Sequence, residues 1–350
     1  MKSYLLNLTL FMISLLVGII ILEIGIRVIF PQFTPQGESR YNYDYTNEVV
    51  LGDANTAFRH EHPYGDFDVP LEFNYLGLRD NKDLRHSTKE DIFVVGDSFA
   101  FGYGVLESER FSDRIQKELG FRVFNLGMPS MDFSHYDRML DYAIRHDAEI
   151  GHLIITVCMD NDLRDYDLDE ANYASKQSGQ PSGILRMVKG AMASNLAVYH
   201  LATYWFHNIN FLKRLFKQAG LIDSGTVHLD ERVLISSVHK LKKISERFPT
   251  VVLLVPQRML WVNDERRHEA ERIHARFITL LRKQGVIFID PADHFRKLPS
   301  PLDLHFPNDG HWNARGHEMA SEALIDKWPK EWLIPYRSGS RYALPQADIP

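Results

Sequence analysis

Apolar residues follow three different patterns along this chain. Between Tyr4 and Leu22 there is no charge, and apolar character resumes around Glu23 and Arg27 through Ile24, Ile26, Val28, Ile29 and Phe30. Such a run is long enough to cross a bilayer as a helix. Residues 31–90 are rich in Pro, Tyr, Asn, Asp and Gly and keep no period, which predicts an irregular stalk or apron lying against the next domain. From there on, short apolar runs alternate with segments of helical period. Ile92–Val95, Arg122–Leu126, His152–Val157, Val251–Val255 and Val286–Ile289 read as strands; 107–119, 133–146, 230–247, 264–283 and 314–328 read as helices. Runs apolar throughout, alternating with helices, predict an α/β fold: a mostly parallel five-stranded sheet covered on both faces. Ligands of such sheets lie beyond the carboxyl ends of the strands.

The alternation is interrupted between about 164 and 230. That stretch begins acidic and polar, then turns helical and apolar, with Leu196, Val198, Tyr199, Leu201, Tyr204, Trp205, Phe206 and Phe211 forming an aromatic face. A lid over the site and a helical pair packed on the core, or resting on a membrane, are both open readings. The expected organisation is an N-terminal transmembrane anchor at 1–30, a stalk or apron at 31–89, a catalytic-type domain at 90–328 with the insertion at about 164–230, and a tail at 329–350.

A cleavable signal peptide competes with the anchor, but the apolar stretch is long for one and no A-x-A-like site follows it. Lys2 on one side is nearly balanced by Arg27 and Arg40 on the other, and the expectation is that the bulk of the chain lies outside the cytoplasm. The apolar fraction of 45% and charged fraction of 25% are those of a globular chain able to bury a large core. A net charge of −6 leaves no basic footprint for nucleic acid, and Cys158, the single cysteine, excludes an intramolecular disulfide and a cysteine-based zinc cage.

The first strand ends at Gly96-Asp97-Ser98, followed by Gly102 and Gly104 and then a helix. A strand, a tight turn bearing Ser and a helix would hold a hydroxyl at the mouth of the sheet among backbone N–H groups. Equally, Asp and Ser at such a place often only turn the chain or cap a helix. The other strand ends supply possible partners. Asn125-Leu126-Gly127 follows the second strand and Met159-Asp160-Asn161-Asp162 the third, while Asn308-Asp309-Gly310-His311-Trp312-Asn313 lies after the fifth. His311 is placed to take the Ser98 proton with Asp309 orienting it, and Ser98 N–H, Gly127 N–H and the Asn161 side chain would form three donors for an oxyanion.

These four blocks, in this order and each at a strand end, resemble those of the SGNH (GDSL-type) hydrolases, over about residues 90–328. The resemblance implies a flavodoxin-like three-layer α/β/α fold and assigns the four lettered roles to Ser98, Gly127, Asn161 and His311. It implies a serine esterase or deacetylase working through an acyl-enzyme on acyl esters, with cell-surface carbohydrate as the substrate class, no metal or organic cofactor, and the membrane as a partner through the N-terminal helix. Asn74–Asp80 is similar to the lead-in of bacterial membrane-anchored members. Two departures stand out: Met159 occupies a glycine position of the third block, and the last block is Asp309-x-His311 rather than D-x-x-H. The D-G-H-W-N variant is similar to that of SGNH proteins of polysaccharide O-acetylation, so an O-acyltransferase with the same triad is the alternative, and a non-catalytic carbohydrate-binding scaffold a third.

Rivals exist for several roles. Asp303-Leu304-His305 repeats the D-x-H spacing but lacks the helix start that follows His311. His317 is expected to fix the start of the last helix, Asp97 to bond locally in its turn, and Cys158 to be a small core residue. Asp160, Asp162, Asp165, Asp167 and Asp169 alternate as in a calcium loop but lack its central glycine and terminal Glu, which predicts a solvated acidic loop.

Overall fold

The strands of the central sheet are buried along most of their length and largely apolar because both their faces are covered. In the computed structural model, which describes residues 2–30, 41–62, 65–168, 192, 196–199, 201–202, 230–263 and 266–329, alternate strand residues enter two separate cores. Phe93, Val95, Phe124, Leu153, Ile155, Val157, Val252 and Leu254 face one way; Ile92, Val94, Val123, Ile154, Val251, Leu253 and Val255 face the other.

In chain order the described elements are α1 (Lys2–Ile29), β1 (Tyr41–Asp44), β2 (Val49–Gly52), β3 (Ala57–Glu61), β4 (Asp68–Glu72), β5 (Ile92–Val95), α2 (Ser98–Phe101), α3 (Phe111–Leu119), β6 (Val123–Asn125), α4 (Phe133–Arg145) and β7 (His152–Cys158). There follow α5 (Glu231–Ser245), β8 (Thr250–Val255), α6 (Arg266–Lys283), β9 (Phe288–Ile289), α7 (Ala292–Phe295) and α8 (Ala314–Asp326). The central sheet has five parallel strands in the order β6-β5-β7-β8-β9, the flavodoxin-like order, with its switch point between β5 and β7. Helices α4, α5 and α6 cover the first core, and α3 and α8 the second. Helix starts follow side-chain caps: Asp132 accepts from Ser134 N–H, Asp230 from Val233 N–H, and Asn313 from Arg315 and Gly316 N–H.

Three expectations change. The segment before the domain is not irregular: β1 pairs antiparallel with β2 and β3 with β4, and Val49, Val50, Leu71, Phe73, Leu76 and Leu78 belong to the same core as the sheet. Its strands escape a periodicity reading because β3 is half-exposed throughout and β1 carries Tyr, Asn and Asp. The helix foreseen at 107–119 is a 3₁₀ turn at Glu107–Glu109 followed by α3, divided at Arg110 in extended conformation. The last strand is shortened to Phe288–Ile289, with Val286 outside it.

Helix α1 contains one stretch, Thr9–Ile29, long and apolar enough to cross a membrane, with a mean hydropathy of 2.5. Near its end, Glu23 accepts the N–H of Ala197 at 2.8 Å and of Val198 at 2.9 Å, and Ile26 is buried beside Ala197. The rest of the aromatic face foreseen in the insertion, with Asp169 and the tail beyond residue 329, lies outside the described residues.

Candidate active site

At the carboxyl end of β5 the chain turns within two residues into α2. Gly96 is needed there, since a Cβ would stand 2.8 Å from both Ala100 Cβ and Thr156 Cβ. Asp97 caps the helix, its Oδ1 accepting the Phe99 N–H at 3.0 Å. This is the local bonding foreseen for it, and burial raises its pKa, with the Phe99 N–H pulling the other way. Ser98 is the first helical residue, so its N–H is among those that a helix start leaves without an intrahelical partner.

The loop after α7 delivers the histidine. Phe306 N–H donates to the His311 carbonyl at 3.0 Å, closing a turn that carries Asp309 at its tip. His311 Nε2 lies 2.7 Å from Ser98 Oγ, and His311 Nδ1 makes a close contact with Asp309 Oδ1. The same carboxylate oxygen accepts the His311 backbone N–H at 2.8 Å. With Nδ1–H turned to the carboxylate, the lone pair of Nε2 faces the serine hydroxyl. Burial works to raise the Asp309 carboxyl, but the hydrogen bond and charge of His311 together hold it below its ordinary value. Tyr103 stacks on the imidazole at 4.4 Å between centroids, and Phe99 flanks it at 5.1 Å.

Gly127 has a packing role beside the one expected of it. A Cβ there would lie 2.6 Å from Ala100 Cβ and from Phe101 N, so the glycine permits β6's exit to press against α2. Its N–H, however, donates to Asn125 Oδ1 at 2.8 Å, and an oxyanion would have to share that donor. Asn125 itself is spanned by bonds from Nδ2 to the Ala100 carbonyl at 2.8 Å and to Ser112 Oγ at 2.9 Å. Asn161 is exposed at the end of β7, its backbone N–H on the Cys158 carbonyl at 3.1 Å and its side chain beside the Asp97 carboxyl. Met159 fills the core where the family pattern has glycine, and Cys158 is buried.

The acidic loop differs from the solvated one foreseen. Asp162 is wholly buried, its Oδ2 accepting from Tyr136 Oη at 2.9 Å and from the Cys158 N–H at 2.8 Å. Burial and the nearby Asp97 push its pKa well up. Asp160 is tied to Gln257 Nε2 at 3.0 Å. Among the described residues no group of three or more His, Cys, Asp or Glu is placed to hold a metal ion. Of the rivals, His305 is buried, bridges to Trp312 and is pushed down to about 4 by burial, while it is His311 that meets Ser98. His317 does more than start α8: its Nδ1 accepts the Phe111 N–H at 3.3 Å and ties α8 to α3.

Sequence reasoning missed the residues that hold this site from outside. The buried Arg79 guanidinium donates to the carbonyls of Phe101 at 3.0 Å, Gly102 at 2.6 Å and Val105 at 2.6 Å, fixing the loop after α2. Asp80 Oδ2 accepts the Asn125 N–H at 2.6 Å, and Asn74 braces the Leu76–Asp80 turn. The signal was the segment Phe73–Asp80 itself, whose polar residues are spaced without a period because each serves a different backbone group.

The sequence pattern of the GDSL-like Lipase/Acylhydrolase family matches residues 94–319, which include every residue of the Ser98–His311–Asp309 array. The chain belongs to this family. As an SGNH-type member it is a hydrolase acting on esters. Among solved structures it is similar to a lipolytic G-D-S-L family protein from Veillonella parvula, with 11% identity and TM-score 0.37 over 68% of this chain and 97% of that one. It is also similar to an acetylxylan esterase from Geobacillus stearothermophilus, with 13% identity and TM-score 0.38 over 72% of this chain and 100% of that one. No curated protein matches the chain.

Proposed function

We propose that the protein is a membrane-anchored serine esterase or deacetylase whose catalytic domain lies outside the cytoplasm and removes acyl groups, of the acetyl class, from cell-surface carbohydrate. The observation that carries this reading is the unbroken chain of contacts from Ser98 Oγ through His311 to Asp309. Ser98 Oγ attacks the ester carbonyl as His311 Nε2 takes its proton, and Asp309 holds the imidazolium in orientation. The tetrahedral oxyanion is received by the Ser98 N–H, the Asn161 side chain and the Gly127 N–H, the last shared with Asn125. Collapse breaks the bond to the alkoxy oxygen, which leaves with the proton from His311. Water then attacks the acyl-Ser98, giving its proton to His311; the bond to Ser98 Oγ breaks, His311 returns the proton to Oγ, and the carboxylic acid leaves.

The anchor at 1–30 supports a site working at a membrane surface, where polysaccharide esters are the substrates within reach. The D-G-H-W-N block favours a second reading, transfer of the acyl group from Ser98 to a sugar hydroxyl by the same residues. A non-catalytic scaffold is disfavoured by the 2.7 Å approach of His311 to Ser98. The test is incubation of the full chain in detergent micelles with an activated acetyl ester, with and without oligosaccharide acceptors. Acetate release that acceptors leave unchanged supports the esterase, and acetylated sugar formed at its expense supports the transferase. Turnover undiminished in Ser98→Ala would sink both.

A further inference from the structure

The loop that carries Asp309 and His311 is exposed at residues 307, 308 and 310 and closed internally by the bond from Phe306 N–H to the His311 carbonyl. The base of this turn is held by the His305–Trp312 bridge and by the Asn313 N–H on the Leu304 carbonyl at 3.0 Å, and a hold on its tip comes from 242 residues earlier in the chain. At the tip of the β3–β4 hairpin, Asp66 Oδ2 accepts the Asn308 backbone N–H at 2.8 Å, and Asp66 Oδ1 accepts Asn308 Nδ2 at 2.8 Å. Both carboxylate oxygens thus bond one residue, the neighbour of Asp309, while Oδ2 also faces His62 Nδ1 at 3.6 Å, and the Asp66 side chain is only 4% exposed. A bidentate bond to a carboxylate fixes direction as well as distance.

The hairpin also supplies the wall behind the imidazole. His60 meets Tyr103 edge-on at 4.5 Å, Phe67 meets Tyr103 at 5.6 Å and Phe306 at 5.1 Å, and Tyr103 in turn stacks on His311. The hairpin itself is held closed at the tip by His62 N–H on the Phe67 carbonyl at 2.9 Å. It lies wholly outside residues 94–319, the stretch matched to the family.

We propose that Asp66 is a positioning residue of the active site: through Asn308 it fixes the loop that presents Asp309 and His311 to Ser98. This rests on the reading of His311 as the base. Displacing a catalytic group by about 1 Å can cost on the order of 10²-fold in rate, so Asp66→Ala should lower kcat by roughly 10- to 100-fold with KM little changed. Asp66→Asn, which keeps one acceptor oxygen, should restore part of the loss. Asn308→Ala removes only the Nδ2 bond and leaves the backbone N–H on Asp66 Oδ2, so its deficit should be the smaller one, and because Asp66 acts through Asn308 the double variant should lose no more than Asp66→Ala.

The experiment measures kcat and KM for an activated acetyl ester in these four variants, in the full chain in detergent micelles, beside hydrogen–deuterium exchange of the 306–312 loop. A smaller loss in Asn308→Ala, a double-variant loss no larger than that of Asp66→Ala, and faster exchange confined to that loop are expected. A wild-type kcat in Asp66→Ala, or losses that multiply in the double variant, would overturn the proposal. Should the wild type itself show no Ser98-dependent turnover, the acyl-enzyme reading fails by itself. Exchange then still decides the clamp, with unchanged protection of 306–312 in Asp66→Ala counting against it.

Discussion

Acid should loosen this protein through a histidine that is not part of the triad. His317 is 1% exposed, stacks on Phe111, meets Trp312 edge-on at 5.7 Å and accepts the Phe111 N–H at Nδ1. Burial, and then the cations of Arg110, Arg79 and Arg114, push its pKa down to about 3. An unfolded histidine titrates near 6.5, so below that pH the unfolded chain binds a proton that the folded one refuses. Stability from this group is therefore complete above 6.5 and is lost as pH falls toward 3. Between pH 7 and pH 5 the loss is about 1.5 units at 1.36 kcal/mol each, or about 2 kcal/mol. The result hardly depends on the folded value, provided that it lies below 5. His60 and His305, each pushed down to about 4 chiefly by burial, act in the same direction. The buried carboxyls of Asp97 and Asp162, raised by burial, act in the opposite one, so the net slope of the wild type is a sum. Substitution isolates the histidine. His317→Gln keeps an acceptor for the Phe111 N–H but cannot take up a proton. Urea unfolding of both proteins at pH 7 and pH 5, followed by tryptophan fluorescence, should show the variant losing about 2 kcal/mol less than the wild type on acidification. Parallel losses would refute the reasoning, since His317 would then titrate alike in both states.

Arg79→Met should destabilise the protein by about 2–4 kcal/mol, because three backbone carbonyls lose a charged donor, partly offset by relief of the buried guanidinium; denaturant midpoints check it, and wild-type stability would contradict it. Gly127→Ala forces a Cβ to within 2.6 Å of α2 backbone and should cost about 1–3 kcal/mol, with a larger relative loss of turnover because Ser98 begins that helix. Asp309→Asn should leave the fold intact but reduce kcat by on the order of 10⁴-fold by favouring the wrong imidazole tautomer; a loss below tenfold at neutral pH would remove Asp309 from the array.

The central sheet was legible because two-sided burial leaves β5, β7 and β8 apolar but for Thr156 and the starting residues His152 and Thr250, and because Asp132, Asp230 and Asn313 mark helix starts with side-chain caps. The Ser98, Asp309 and His311 positions were legible as well, the first standing just after β5 and the other two just before the capped start of α8. What stayed hidden depends on contacts between distant segments. Of the strands in the β1–β4 hairpins, β4 alternates but carries Pro70 at its centre, and β1 to β3 bury too little of either face to show a pattern. Asp162 looked like one more acid in a polar run, and the approach of Tyr136 joins the Cys158 N–H in making its burial tolerable. The clamp from Asp66 to Asn308 joins segments that no local pattern connects.

The most direct test of the account is covalent. The full chain in detergent micelles, treated with a fluorophosphonate probe and digested, should carry the adduct on the peptide containing Ser98. Labelling should disappear in Ser98→Ala and slow strongly in His311→Ala. A folded protein that takes up no probe at Ser98, or that is labelled equally fast without His311, would contradict the claim that these two residues form a working nucleophile and base.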